Sequence, residues 1–317
     1  MRGVTQVDEV SASGVVIETR NLSKRFKDVQ AVDSLYMRVR EGEIYGFLGP
    51  NGAGKTTTIK MIMGLVHPTR GNVLINGKRV DDGSVEHRRD IGYLPEQVAF
   101  YGNLTPVQTL RFLCELKGAD KTVVRPLLDE VGLTHAIDRK VGTYSKGMVQ
   151  LLGIAQAMIG KPSVYILDEP IGGLDARWVK VTREKIRRMN QEGATVLFSS
   201  HILSEVQALC DRVAIIDKGR LVAEDTVANL SSRLHIMPRL EIIIPGLGGK
   251  VPDPVLDIAG VETAEAEGDK LIVVCETEAR LQVITALKEV GMDIRDFKTI
   301  EPALEDAFVK LISEGGD

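Results

Sequence analysis

The run Gly49-Pro50-Asn51-Gly52-Ala53-Gly54-Lys55-Thr56-Thr57 fits the pattern G-x-x-x-x-G-K-[ST]. Its glycines let the backbone wrap a triphosphate so that several N–H groups of Asn51, Gly52, Ala53, Gly54, Lys55, Thr56 and Thr57 point inward. Lys55 neutralises the outer phosphates, and the Thr56 hydroxyl is placed to ligate Mg²⁺. Further along, Val164-Tyr165-Ile166-Leu167-Asp168-Glu169 is an apolar run ending in two carboxylates. Asp168 can hold Mg²⁺, often through water. Glu169, one residue later and pointing elsewhere, can orient and deprotonate an attacking water. On its own such a pair is more often a solvated strand end; the phosphate loop upstream gives it a chemical reading. Together these residues predict a chain that binds a nucleoside triphosphate and hydrolyses it.

The elements that must position these groups follow from periodicity. The apolar run 44–48 predicts a strand entering the phosphate loop, and 57–63 a helix leaving it. Residues 15–19 and 36–39 alternate as half-buried strands, and 71–75 with Asn76-Gly77 is a strand closing into a turn. From about 105 to 160 the period becomes helical, with Thr105-Pro106 as a helix start, so a helical insert is expected there. From 164 onward strands (164–167, 195–198, 213–216) alternate with helices (177–191, 203–209), which implies a mostly parallel sheet with helical cover. A last strand and helix end near Ser232. Pro238, Pro245-Gly246 and Pro252 then mark a boundary and a loop-rich start to a small α+β unit over 239–317. That unit offers strands at 271–274 and 294–297 and helices at 279–290 and 303–312. Residues 1–14 read as a flexible leader.

Composition narrows the class. The chain has 317 residues, 44% of them hydrophobic, enough for about two domains with their own cores. No apolar run reaches the ~18 residues that span a bilayer, so any membrane role must come through a partner. Lys+Arg 40 against Asp+Glu 44 gives a net charge of −4, which offers no general attraction for nucleic acid or anionic lipid. Cys114, Cys210 and Cys275 are isolated within apolar segments and read as buried thiols of a reducing cytosol.

Tyr144-Ser145-Lys146-Gly147-Met148, followed by Gln150 and one helix ahead of Asp168-Glu169, resembles the signature motif of ATP-binding cassette (ABC) ATPases, in the form found in cassettes of ABC-2-type exporters. The resemblance covers residues 15–232. It implies a P-loop NTPase fold of the α/β class: a RecA-like core with an antiparallel β-subdomain and a helical subdomain, plus a small α+β C-terminal domain. It also implies that Ser145 and Gly147 bind the γ-phosphate of ATP held by a second copy, which suits the anion affinity of a helix N-terminus. Gln97 matches the loop glutamine that contacts Mg²⁺ and water, Asp175 the loop crossing the dimer interface, His201 the switch histidine at the γ-phosphate, and Phe26 the aromatic that stacks on adenine.

Departures from the common pattern are Tyr144, Lys146 and Met148 in the signature, Val149 and Leu151 where arginines often stand, and Ala176 after the loop aspartate. None removes a catalytic group. The resemblance therefore implies an ATP- and Mg²⁺-dependent motor, homodimeric through an ATP sandwich, on the cytoplasmic face of a membrane beside an ABC-2-type permease. Residues 94–101 and 116–118 also look like the cassette of copper-handling exporters that mature nitrous oxide reductase. Phe100 and Tyr101 are the expected docking surface. The competing reading is a soluble ABC-type ATPase in a nucleic-acid or regulatory complex, against which stand the single cassette, the short insert and the acidic balance.

Overall fold

The computed structural model describes residues 14–80, 86–233 and 237–300, which divide into two compact units between Val227 and Ala228. The leader at 1–13 and the expected helix at 303–312 lie outside the described residues.

The first unit begins with a hairpin of β1 (Val15–Phe26) and β2 (Val29–Arg40). Next come β3 (Ile44–Leu48), the phosphate loop and α1 (Lys55–Ile62). The helix starts earlier than the sequence suggests because Gly54, at φ 105°, is its left-handed N-cap. After it, β4 (Arg70–Ile75) turns through Asn76-Gly77, both at positive φ, into the short β5 (Lys78–Arg79). These strands form an antiparallel sheet in the order β2-β1-β4-β5. Its buried side chains, including Ile17, Leu35, Met37 and Val73, share one core with Tyr45 and Phe47 of β3 and Ile59 of α1.

Beyond β6 (Ile91–Leu94) lies the helical insert: α2 (Pro106–Lys117), α3 (Val124–Glu130) and α4 (Lys146–Ala157). Thr105 starts α2 with a capping box, its side chain accepting from Gln108 N–H while Gln108 accepts from Thr105 N–H. The chain then alternates through β7 (Val164–Leu167), α5 (Ala176–Gln191), β8 (Thr195–Ser200), α6 (Leu203–Leu209), β9 (Arg212–Asp217) and β10 (Arg220–Thr226); α7 (Val227–Arg233) begins at the division and belongs, from Ala228 on, to the second unit. The main sheet runs β10-β9-β3-β8-β7-β6, parallel except for β10. Every residue of β3, β7 and β8 is buried, as strands covered on both faces require. The C-terminal ends of these central strands carry the phosphate loop, Asp168-Glu169 and His201.

The second unit is richer in strands than its proline-marked start implies. It contains β11 (Arg239–Ile243), α8 (Asp253–Leu256), β12 (Val261–Glu267), β13 (Lys270–Cys275), α9 (Ala279–Glu289) and β14 (Asp296–Ile300), with sheet order β12-β13-β11-β14. Leu240, Ile242, Leu271, Val273, Val283 and Leu287 form its core. The three cysteines are free; Cys114 and Cys275 are buried and Cys210 is half-buried, a small departure from the uniform burial expected.

Candidate functional site

The phosphate loop is pressed against its neighbours. A side chain at Gly49 would run into the carbonyl of Ile216 at the end of β9, and one at Gly54 into the carbonyl of Ala31 on β2. Only glycine fits, so the loop's shape is fixed by the sheet on either side. Gly54 caps α1 without any side-chain bond, which leaves first-turn N–H groups free for an anion.

Lys55, buried to 6% exposure, donates to the carbonyls of Gly49 at 2.7 Å and Pro50 at 3.2 Å. Its Nζ also lies 3.3 Å from Glu169 Oε1. The other oxygen of Glu169 is 2.9 Å from His201 Nδ1, so lysine, glutamate and histidine form one chain. Glu169 holds the left-handed φ of 49°, uncommon for a residue with a side chain, which turns it away from the line of β7. Ser199 of β8 stabilises this corner: its hydroxyl donates to Asp168 Oδ1 at 2.6 Å and accepts from the N–H of Glu169 at 2.9 Å.

Asp168 is fully buried and its Oδ2 has no hydrogen-bond partner. Burial pushes its carboxyl above the usual range, opposed by the Ser199 and Thr56 hydroxyls and reinforced by the charges of Glu96 and Glu169. An orphaned buried oxygen beside the Thr56 hydroxyl fits a bound Mg²⁺. Mg²⁺ takes few protein ligands and fills its shell with water and phosphate oxygens. Thr56 Oγ1 donates to Glu96 Oε2 at 3.3 Å, a residue sequence reasoning passed over in favour of its neighbour. Gln97 is exposed and lines an adjacent groove.

Two open grooves of about 460 and 480 Å³ meet at Asn51, Glu96 and Glu169. One contains Gln97, Lys146, Gln150 and His201; the other follows Gly52, Lys55, Thr56 and Thr57 to Val29 and Lys218. Ala53 is buried within the loop, its N–H donating to Pro50 O at 3.2 Å. Phe26, 46% exposed under the ammonium of Lys24, pairs across the hairpin with the groove residue Val29 and stands beside the groove. Ser145, Gly147 and Asp175 line neither groove. Ser145 caps α4 through Met148 N–H at 3.3 Å, and Asp175 caps α5 through Trp178 N–H at 3.1 Å.

The ABC transporter family matches residues 32–172. The chain is 36% identical to the ABC transporter ATP-binding protein YcbN of Bacillus subtilis, covering 94% of this chain and 97% of the relative. It is 37% identical to the bacitracin transport ATP-binding protein BcrA of Bacillus licheniformis, over 95% and 98%. The chain is an ABC transporter ATP-binding protein. A solved ATP-binding subunit of an ABC transporter, 34% identical, superposes with a TM-score of 0.63 over 69% of this chain and 92% of its own length. The cassette is thus an ATPase, and as a transporter subunit it works with a membrane partner. Among its described residues no helix is long and apolar enough to cross a membrane.

Proposed function

We propose that this cassette powers an ABC-2-type exporter as a homodimer, with two copies closing around ATP on the cytoplasmic face of the membrane. The observation that carries the reading is the Lys55–Glu169–His201 chain, with links of 3.3 and 2.9 Å, at the mouth of a phosphate loop. In this reading the loop of one copy grips the β- and γ-phosphates through its N–H groups and Lys55. Phe26 stacks on adenine. Glu169 takes a proton from the attacking water and His201 holds the γ-phosphate side of that water. Mg²⁺, when bound, neutralises phosphate charge; Thr56, Asp168 and either Glu96 or Gln97 would hold it. Ser145 and Gly147 of the second copy complete the site, while Asp175 shapes the loop that crosses between copies.

The ATPase domain spans 15–232, and its insert (about 105–160) with the loop at Gln97 to Tyr101 passes the motion to the permease. The unit at 239–317 has a regulatory or dimer-bracing role in this reading. A relative named for bacitracin transport supports export of an antibiotic, and the stretch at 94–101 supports the copper-handling type as the other substrate class. Light scattering of the purified Glu169→Gln variant tests the dimer: addition of ATP and Mg²⁺ should convert monomer to dimer, and adding Ser145→Ala should prevent it. A monomer of native sequence that hydrolyses ATP at full rate would overturn the reading.

A further inference from the structure

The side-chain face of Gly147 is occupied by an aromatic ring from the next helix. A Cβ built on Gly147 would stand 2.5 Å from Trp178 Cδ1 and 2.8 Å from both Cγ and Nε1. Those separations are closer than side-chain atoms tolerate, so residue 147 must be glycine while the indole stays where it is. Trp178 sits in the first turn of α5, held there by its own N–H on Asp175, and the guanidinium of Arg177 lies 5.3 Å from its ring centre. A second contact runs beside the first: a side chain on Gly173 would collide with the ammonium of Lys146. The first turn of α4 is therefore packed against the loop and helix that follow the acidic pair. Its own cap is weak, since the Met148 N–H to Ser145 Oγ distance of 3.3 Å is long for such a bond.

We infer that Trp178 is a positioning residue: it backs the buried Gly147 and sets the angle at which the exposed Ser145 and its neighbour Gly147 meet the nucleotide of a second copy. A rigid bicyclic ring does this at low conformational cost, having only two side-chain torsions. The same contact ties Gly147 to Asp175, so the two dimer-facing segments move as one. The inference rests on the ATP-sandwich reading above.

Trp178 is the chain's only tryptophan, so indole emission, excited at the long-wavelength edge where tyrosine does not absorb, reports on this residue alone. In full-length Glu169→Gln protein, ATP with Mg²⁺ should shift that emission, and the shift should vanish when Ser145→Ala is added. Trp178→Ala in the same background should weaken ATP-driven dimerisation about tenfold or more while the monomer's affinity for ATP stays within about twofold. Trp178→Phe should restore most of the loss, and thermal melts of each variant separate a folding defect from a positioning one. If the Trp178→Ala protein dimerises like its parent while Ser145→Ala does not, this inference falls and the sandwich reading stands. If both dimerise like the parent, the sandwich reading falls and takes this inference with it.

Discussion

Lys55 Nζ lies 3.3 Å from Glu169 Oε1, so the cation of the phosphate loop and the acid at the end of β7 form one ion pair. Each is nearly buried, at 6% and 11% side-chain exposure, and removing one leaves the other poorly compensated. Glu169→Gln keeps the shape and a polar partner for Lys55 while removing the proton acceptor. It should bind ATP and hydrolyse it about 10²–10⁴-fold more slowly, the usual loss for a general base. Native turnover by this variant rejects Glu169 as the base. Lys55→Ala should instead weaken ATP affinity, read by a nucleotide titration.

Asp168 is a buried carboxylate with one oxygen unpartnered, an arrangement that costs stability and fits a cation. Asp168→Asn keeps an acceptor for the Ser199 hydroxyl but removes the charge. Without ligands the variant should melt about 2–4 °C higher than the native chain, and the extra stabilisation that Mg²⁺ adds to ATP-bound native protein should be gone. A lower melting temperature with Mg²⁺ dependence intact contradicts this account.

The hydrogen bond from Thr56 to Glu96 sets two adjacent residues in competition for the metal-facing role. If Glu96 faces the metal, Glu96→Ala should raise the Mg²⁺ concentration needed for half-maximal ATPase about 10-fold or more, while Gln97→Ala leaves it nearly unchanged. The reverse pattern assigns the role to Gln97.

Gly147→Ala pushes a methyl group into the indole of Trp178. Differential scanning calorimetry should find it destabilised by about 1–3 kcal/mol, the usual cost of overpacking. The double variant with Trp178→Ala should recover part of that loss, since the obstruction is gone. Additive losses would show that the two residues do not press on each other.

Tyr101 is 68% exposed, whereas Phe100 is half-buried. An exposed aromatic of this kind suits a partner surface. Tyr101→Glu should reduce co-purification of the membrane partner while basal ATPase and melting temperature stay close to native. Undiminished co-purification removes Tyr101 from the docking surface.

Much of the first unit is legible in the sequence because its central strands are short apolar runs with clear ends. The runs at 44–48 and 164–167 match β3 and β7, and α6 coincides with the expected 203–209. β12 escaped notice because Val-Glu-Thr-Ala-Glu-Ala-Glu has weak strand propensity; pairing with β13 imposes its conformation. Which of Glu96 and Gln97 turns inward is invisible to periodicity, since both lie on a loop just past β6. The double duty of Ser199 and the packing of Trp178 on Gly147 depend on tertiary approach between segments distant in the chain, which no local pattern encodes.

One hydroxyl, that of Ser199, anchors both acids of the site, and it does so for a glutamate whose backbone sits in a conformation better suited to glycine. Strain of this kind costs about 1–3 kcal/mol, so the corner is a place where heat tolerance and turnover pull apart. A library selected only for survival at high temperature would drift toward asparagine at 168, and its most robust members would be inert, while at 169 the ion pair with Lys55 weighs against glycine despite the strained backbone. Any effort to harden this protein must therefore screen each gain against phosphate release.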